Sequence, residues 1–202
     1  MTTYQELVNT VIINEKNQLV RYDKSLEHIG TGRSAFVFRI KSSNISIKVF
    51  FPIYIHIAKE EAEIYKVLQD TPYFPSIYET GLNYLVMDYI DGYTLFECLT
   101  HGKVITTAHI DEIDHALSLA SNLGLNPSDI HLRNIFITSN NEIKLIDVAR
   151  YRQKKDCQQW NNLKKAYPQF YRKFFSNKKI PSSILNIIAF LYKKRFIPLF
   201  RQ

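Results

Sequence analysis

Residues 129–150 constrain this chain more than any other stretch. They read Asp129-Ile130-His131-Leu132-Arg133-Asn134, an apolar run Ile135-Phe136-Ile137, a polar turn, a second apolar run Ile143-Lys144-Leu145-Ile146, and then Asp147-Val148-Ala149-Arg150. Two short strands joined by Ser139-Asn140-Asn141-Glu142 form a hairpin by the usual local signals. Such a hairpin carries Asp129 and Asn134 just before its first strand and Asp147 just after its second. Two carboxylates and an amide gathered at paired strand ends are hard oxygen ligands around one point. That set suits Mg²⁺, which takes few protein ligands and fills its shell with phosphate and water. Asp and Asn are also ordinary turn residues, so the stretch by itself is equally a capped hairpin. The remainder of the chain decides between the two.

At 202 residues the chain has room for one ordinary domain or two small lobes sharing a cleft. Its 46% hydrophobic and 22% charged residues exclude a disordered class. Cys98 and Cys157 have no metal-ligand spacing, and residues 1–14 have no signal-peptide core. No apolar run approaches a transmembrane length. The expectation is a reduced, cytoplasmic protein. Charge is uneven. From Arg152 onward there are 13 Lys and Arg against a single acid, Asp156, for a net +12, while residues 1–151 carry 13 basic and 18 acidic residues. An acidic body with a basic tail fits a polyanionic partner, either nucleic acid or an anionic membrane, and equally fits a solvated basic surface.

The alternation in Phe36-Val37-Phe38-Arg39-Ile40, after Gly30-Thr31-Gly32-Arg33-Ser34-Ala35, predicts a glycine-bearing turn feeding a strand. The backbone of such a flap can approach phosphates where side chains would obstruct. Ile45-Ser46-Ile47-Lys48-Val49-Phe50 is a second strand, and its Lys48, flanked by apolar neighbours, must pair or reach solvent. Residues 58–70 read as a helix with an Ile64, Val67, Leu68 stripe, and Glu61 lies on that side. A lysine and a glutamate that are each expensive to bury alone are natural partners. Tyr84-Leu85-Val86-Met87-Asp88-Tyr89-Ile90 is an apolar strand ended by Asp91-Gly92. Residues 94–99 and 110–123 are helical, with Gly124 as a stop. Beyond residue 150, aromatic and basic residues interleave through Trp160, Tyr167, Phe170, Tyr171, Phe174 and Phe175. A last helix covers residues 183–194.

In this order the pieces resemble the protein-kinase-like superfamily over about residues 26–151. Gly30-x-Gly32-x-x-Ala35-x-Val37 resembles the glycine-rich loop, with Ala35 in place of the third glycine. Lys48 resembles the strand lysine that orients the α and β phosphates, and Glu61 its helix partner, with Glu63 as the alternative register. Residues 85–92 resemble the connection between lobes, where the backbone of Asp88 and Ile90 would hold adenine and Met87 would guard the back of the pocket. Asp129-x-x-x-x-Asn134 resembles the catalytic loop, and Asp147-Val148-Ala149 stands where the family has Asp-Phe-Gly. Departures accompany the match. Pro127-Ser128 replaces the common His-Arg, His131 replaces Lys, no Ala-Pro-Glu follows, and 55 residues remain after Asp147. The chain is similar to compact atypical kinases such as RIO-type and lipopolysaccharide-core kinases and small bacterial serine/threonine kinase-like proteins.

The resemblance implies an α+β, bilobal kinase-like fold. It comprises an antiparallel-sheet N-lobe over about residues 20–88 and a reduced, mostly helical C-lobe over 89–202. It implies ATP and Mg²⁺ as cofactors, with Asn134 and Asp147 holding metal, Lys48 fixed by Glu61, and Asp129 orienting the attacking hydroxyl. Lys48→Met or Asp147→Asn is expected to abolish transfer, by on the order of 10²-fold or more, with the fold intact. Three functions follow: a kinase acting on protein Ser or Thr, a small-molecule or sugar kinase favoured by His131, and a nucleotide-binding pseudokinase scaffold. Residues 160–175 and 184–191 are expected to complete the core of the C-terminal half with lysines outside. Nucleic-acid or membrane binding by that tail is the alternative.

Overall fold

The computed structural model describes residues 3–155, 157–175 and 177–194. The chain opens with a short helix, α1 (Tyr4–Asn9), whose Thr3 and Glu6 cap each other's backbone N–H groups. A small antiparallel pair, β1 (Ile12–Ile13) and β2 (Leu19–Arg21), follows. Strands β3 (Leu26–Thr31), β4 (Ala35–Ile40), β5 (Ile45–Phe50), β6 (Ile77–Thr80) and β7 (Tyr84–Asp88) form an antiparallel sheet in the order β3-β4-β5-β7-β6. The alternation of its strands divides the residues between two faces. Phe36, Phe38, Ile47, Val49, Tyr84 and Val86 pack with Leu7 and Val8 of α1 on one side. Ala35, Phe50, Leu85 and Met87 point to the other side. The same period puts Lys48 on the Phe50 face.

That second face is covered by α2 (Ile55–Leu68). Its buried Ala58, Glu61, Ala62, Ile64, Tyr65 and Leu68 form one helical stripe with Glu61 at its centre. The core under α2 continues into the second half of the chain. It takes in α3 (Leu95–His101) and α4 (Thr107–Asn122), and a three-stranded sheet of β8 (Gly92–Thr94), β9 (Ile135–Thr138) and β10 (Ile143–Leu145) in the order β10-β9-β8. Gly92 is required where β8 meets β9, because a Cβ there would lie 2.4 Å from the Ile137 carbonyl oxygen. The fold class is α+β, as the sequence implies, and the predicted hairpin of residues 129–150 is present with Ile137 opposite Ile143.

The tail divides in two. In α5 (Gln159–Ala166) Trp160 is buried and its indole N–H donates to Asp114 at 2.6 Å. In the π-helical stretch Tyr167–Phe175, the Tyr167 hydroxyl donates to the Ile105 carbonyl and the Tyr171 hydroxyl accepts from the Ile105 N–H, both at 2.9 Å. Trp160 thus joins the core, with Leu163, Tyr167 and Tyr171 packed against it, whereas Phe175 is exposed, contrary to expectation, and the side chains of Phe170 and Phe174 lie outside the described residues. The expectation for residues 184–191 is corrected. In α6 (Ser182–Lys193) Leu185 is buried, while Ile184, Ile187, Ile188 and Phe190 face solvent. A helix resting on one neighbouring surface buries one stripe, and this one carries apolar residues beyond it. Among the described residues no helix is long and apolar enough to cross a membrane.

Candidate active site

Alternation in β5 and helical periodicity in α2 aim two opposite charges at each other across buried space. The Lys48 ammonium donates to both Glu61 carboxylate oxygens, at 2.8 and 2.7 Å, and to Asp147 at 3.1 Å. These partners are 13 and 99 residues away in sequence, so the contact with Asp147 joins the two halves of the chain. Burial pushes Glu61 up to about 7 against the pull of Lys48. Burial also disfavours the Lys48 charge, but the two carboxylates outweigh it and its pKa is raised. The Lys48 charge holds Asp147 below the usual carboxylate range. Glu63, the alternative register, pairs with Lys66 at 2.8 Å on the exposed side. Of the two glutamates, it is Glu61 that faces Lys48.

The hairpin brings the loop residues to the same place. The Ile146 N–H donates to the Asn134 carbonyl at 2.9 Å, which seats Asp147 beside Asn134. The Asn134 amide N–H donates to the Asp129 carbonyl at 3.2 Å, leaving its Oδ1 outside that bond. Asp129 and Asp147 both have left-handed backbones, with φ of 62° and 61°. A non-glycine residue holds that conformation only where its surroundings enforce it. Here the Asn126 N–H donates to the Tyr151 carbonyl at 2.6 Å and its side-chain amide to the Gln153 carbonyl at 2.7 Å. The approach to Asp129 is thereby tied to the exit from Asp147. Behind them the buried Tyr151 hydroxyl has no hydrogen-bond partner among the described residues. His131 Nδ1 accepts from the Arg133 N–H at 3.3 Å, within its own loop.

On the rim, Gly30 pairs with Val37 and Val37 with Lys48, so the three stand side by side across β3, β4 and β5, and the turn between β3 and β4 lies at the Phe50–Phe51 end of β5. A Cβ at Gly30 or Gly32 would meet nothing closer than 3.5 Å, and neither has a left-handed backbone. Neither glycine is therefore required by the chain's own packing. Ala35 is buried beneath them. Met87 is buried on the Lys48 side of the sheet, next to Ser46 in register. The Asp88 carbonyl accepts from the Ser46 hydroxyl at 3.1 Å, while its carboxylate holds the Ser76 N–H and the Tyr78 hydroxyl, away from Lys48. No described carbonyl accepts from the Ile90 N–H.

Two arginines were not anticipated. Arg33, from the glycine-bearing turn, reaches Asp129 at 3.3 Å, and Arg150 lies 3.6 Å from the same oxygen. Contacts between exposed charges 96 residues apart leave no local pattern to read. Arg150 alone had a signal, its position three residues after Asp147. The described residues contain no cluster of three or more His, Cys, Asp or Glu able to cage a metal. The oxygens offered by Asp147 and Asn134 instead match a hard cation shared with a phosphate ligand. Two grooves of about 550 and 470 Å³, one beside α1 and one between α2 and the β6–β7 turn, lie apart from these residues.

The chain is 44% identical over 199 residues to the "Putative serine/threonine-protein kinase YrzF" of Bacillus subtilis (strain 168), covering 96% of this chain and 93% of that one. The chain belongs to the serine/threonine-protein-kinase-like family. A "Probable serine/threonine-protein kinase" of Clostridium acetobutylicum is 28% identical over 158 residues, which span 70% of this chain and 23% of that longer protein. No protein-family model matches the chain. Within this kinase-like chain, the elements that carry Lys48, Glu61, Asn134 and Asp147 bring them to one place, and Asp129 lies on the loop bonded to Asn134.

Proposed function

We propose that this chain is an atypical serine/threonine kinase that transfers the γ-phosphoryl group of ATP to a protein hydroxyl, with Mg²⁺ as cofactor. In this reading it is a single kinase-like domain with lobes at about residues 20–88 and 89–202. The observation that carries it is the convergence of Lys48, Glu61 and Asp147, within 3.1 Å of one ammonium, from three separate elements.

Phosphoryl transfer asks for positioning and charge neutralisation more than covalent work. Lys48, held by Glu61, orients the α and β phosphates. Asp147, half-exposed and ionised at neutral pH, together with the free Oδ1 of Asn134, forms the oxygen pair for Mg²⁺. The metal supplies charge neutralisation on the phosphates when bound. Gly30 and Gly32, with no packing reason of their own to be glycine, let the turn between β3 and β4 close on phosphate oxygens, flanked by Ala35 and Val37. Met87, the Asp88 carbonyl and the unpaired Ile90 N–H form the adenine edge. Asp129 orients the acceptor hydroxyl and takes its proton. Arg33 and Arg150 hold that carboxylate in place beforehand.

Incubation of the purified protein with γ-labelled ATP and Mg²⁺, alone and then with cell extract, tests the proposal. Labelled protein bands that disappear with Asp147→Asn are expected, with a loss on the order of 10²-fold or more. Labelled metabolites instead of proteins would move the acceptor to a small molecule or sugar. Mg-ATP binding without transfer would make the chain a pseudokinase scaffold. Full transfer by Asp147→Asn would overturn the site.

A further inference from the structure

Helix α6 turns its apolar side outward. Ile184, Ile187, Ile188 and Phe190 are 47, 58, 48 and 57% exposed. At 3.6 residues per turn they sweep an arc of roughly 160°, turned away from the buried Leu185. The helix cannot roll to hide them. Its inner side is pinned by Leu185, by Arg133 donating to Asn186 at 3.1 Å, and by Asn162 donating to the Tyr192 hydroxyl at 2.8 Å. Four large apolar side chains clustered on one exposed helical face are unusual for a monomer and mark an interaction surface. The segment they belong to is strongly basic. Residues 152–202 carry 13 Lys and Arg against one acid. Arg172, Lys178 and Lys179 are exposed, and the Lys194 ammonium stands 5.9 Å from the Phe190 ring, at the end of the apolar face.

We propose that this face docks the protein on an anionic lipid surface. Isoleucine and phenylalanine side chains gain by entering the boundary between headgroups and acyl chains, and the surrounding cations gain from negative headgroups. Nucleic acid would reward the cations but give nothing to Ile184, Ile187 and Ile188. A second copy would cover the apolar face only by bringing two strongly positive tails together. The helix has 12 residues, too few to span a bilayer, so the association is peripheral. Through Arg133 and Asn186, the docked helix is one hydrogen bond from the loop that bears Asp129.

Sedimentation of the full chain with vesicles tests this, using phosphatidylcholine alone and a mixture of about 7:3 with phosphatidylglycerol. Binding is expected only to the anionic vesicles, weakened by salt, and reduced about tenfold or more in an Ile187→Asp, Phe190→Asp double variant with an unchanged melting temperature. Four results would overturn it. One is no binding to the anionic vesicles. Another is binding that survives the double variant, with salt-sensitive RNA retention equally intact, which would make the tail a polyelectrolyte site. A third is concentration-dependent dimerisation abolished by the variant, which would assign the face to a second copy. The last is a marked fall in melting temperature, which would mean that another part of the chain packs there.

Discussion

At the back of the site Lys48 and Glu61 are 2.7 Å apart with side chains 12% and 1% exposed, whereas at the rim Arg33 and Asp129 are 3.3 Å apart and 77% and 17% exposed. The first pair has a strand on one side and a buried helical stripe on the other. The second joins a turn to a loop, and its exposed Arg33 guanidinium can leave the carboxylate for solvent or ligand. A buried pair is strongly destabilising to break, because the survivor is stranded without solvation. A pair whose cation is solvent-exposed is worth little when that cation is removed. The site thus combines a fixed lysine with a carboxylate whose partners are exchangeable, which suits a fixed nucleotide and an acceptor that must come and go.

The largest expected effect comes from Lys48→Met. Beyond losing transfer, it leaves Glu61 buried without a cation, so stability should fall by about 3–5 kcal/mol when Glu61 is charged. Because burial already lifts Glu61 to about 7, the loss should be smaller at pH 6 than at pH 8. Denaturant titrations at the two pH values check this, and equal losses would mean that Glu61 does not carry the charge. Asp147→Asn, whose half-exposed carboxylate leaves no buried acid stranded, is the cleaner catalytic variant.

Glu61→Gln should produce a smaller, pH-shaped effect. A carboxyl whose folded pKa is raised binds its proton more tightly in the folded chain. Its contribution to stability is thus present below 4.5 and declines as pH rises towards about 7. The Gln variant should lack that decline. Asp147, held low by Lys48, contributes in the opposite sense, with stability lost only as pH falls below 3.8. Stability measured from pH 4 to 8 separates the two. Tyr151→Phe, behind the site, removes a buried hydroxyl without a partner and should leave stability unchanged or raise it by up to about 1 kcal/mol, read as a melting-temperature shift. Arg33→Ala should change stability by less than about 0.5 kcal/mol. A loss like that of Lys48→Met would erase the contrast between rim and back.

What could be read in advance follows the same division. The hairpin of residues 129–150 was legible because its strands and turn are adjacent in sequence. Lys48 and Glu61 were legible because a buried charge demands a partner, even one 13 residues away. The Arg33 and Arg150 contacts to Asp129 were not, since the exposed arginines have no such requirement. Helix α1 went unread although Thr3 and Glu6 form a capping box, because six residues with only Leu7 and Val8 buried show little periodicity. In α6 the apolar period was read correctly as a helix, but periodicity cannot say whether a face meets a core or something outside the chain. The π-helical course of Tyr167–Phe175 has no local signature, since it is set by the hydroxyls of Tyr167 and Tyr171 finding the backbone of Ile105.

The central claim is that Lys48 and Asp147 face one bound triphosphate, and an ATP analogue with a lysine-reactive acyl phosphate tests it at the atom concerned. Incubated with the native protein and mapped by mass spectrometry, the analogue should label Lys48, and excess ATP with Mg²⁺ should block that label in the wild type far better than in Asp147→Asn. Label spread over exposed lysines, or a Lys48 label indifferent to ATP, would contradict the account.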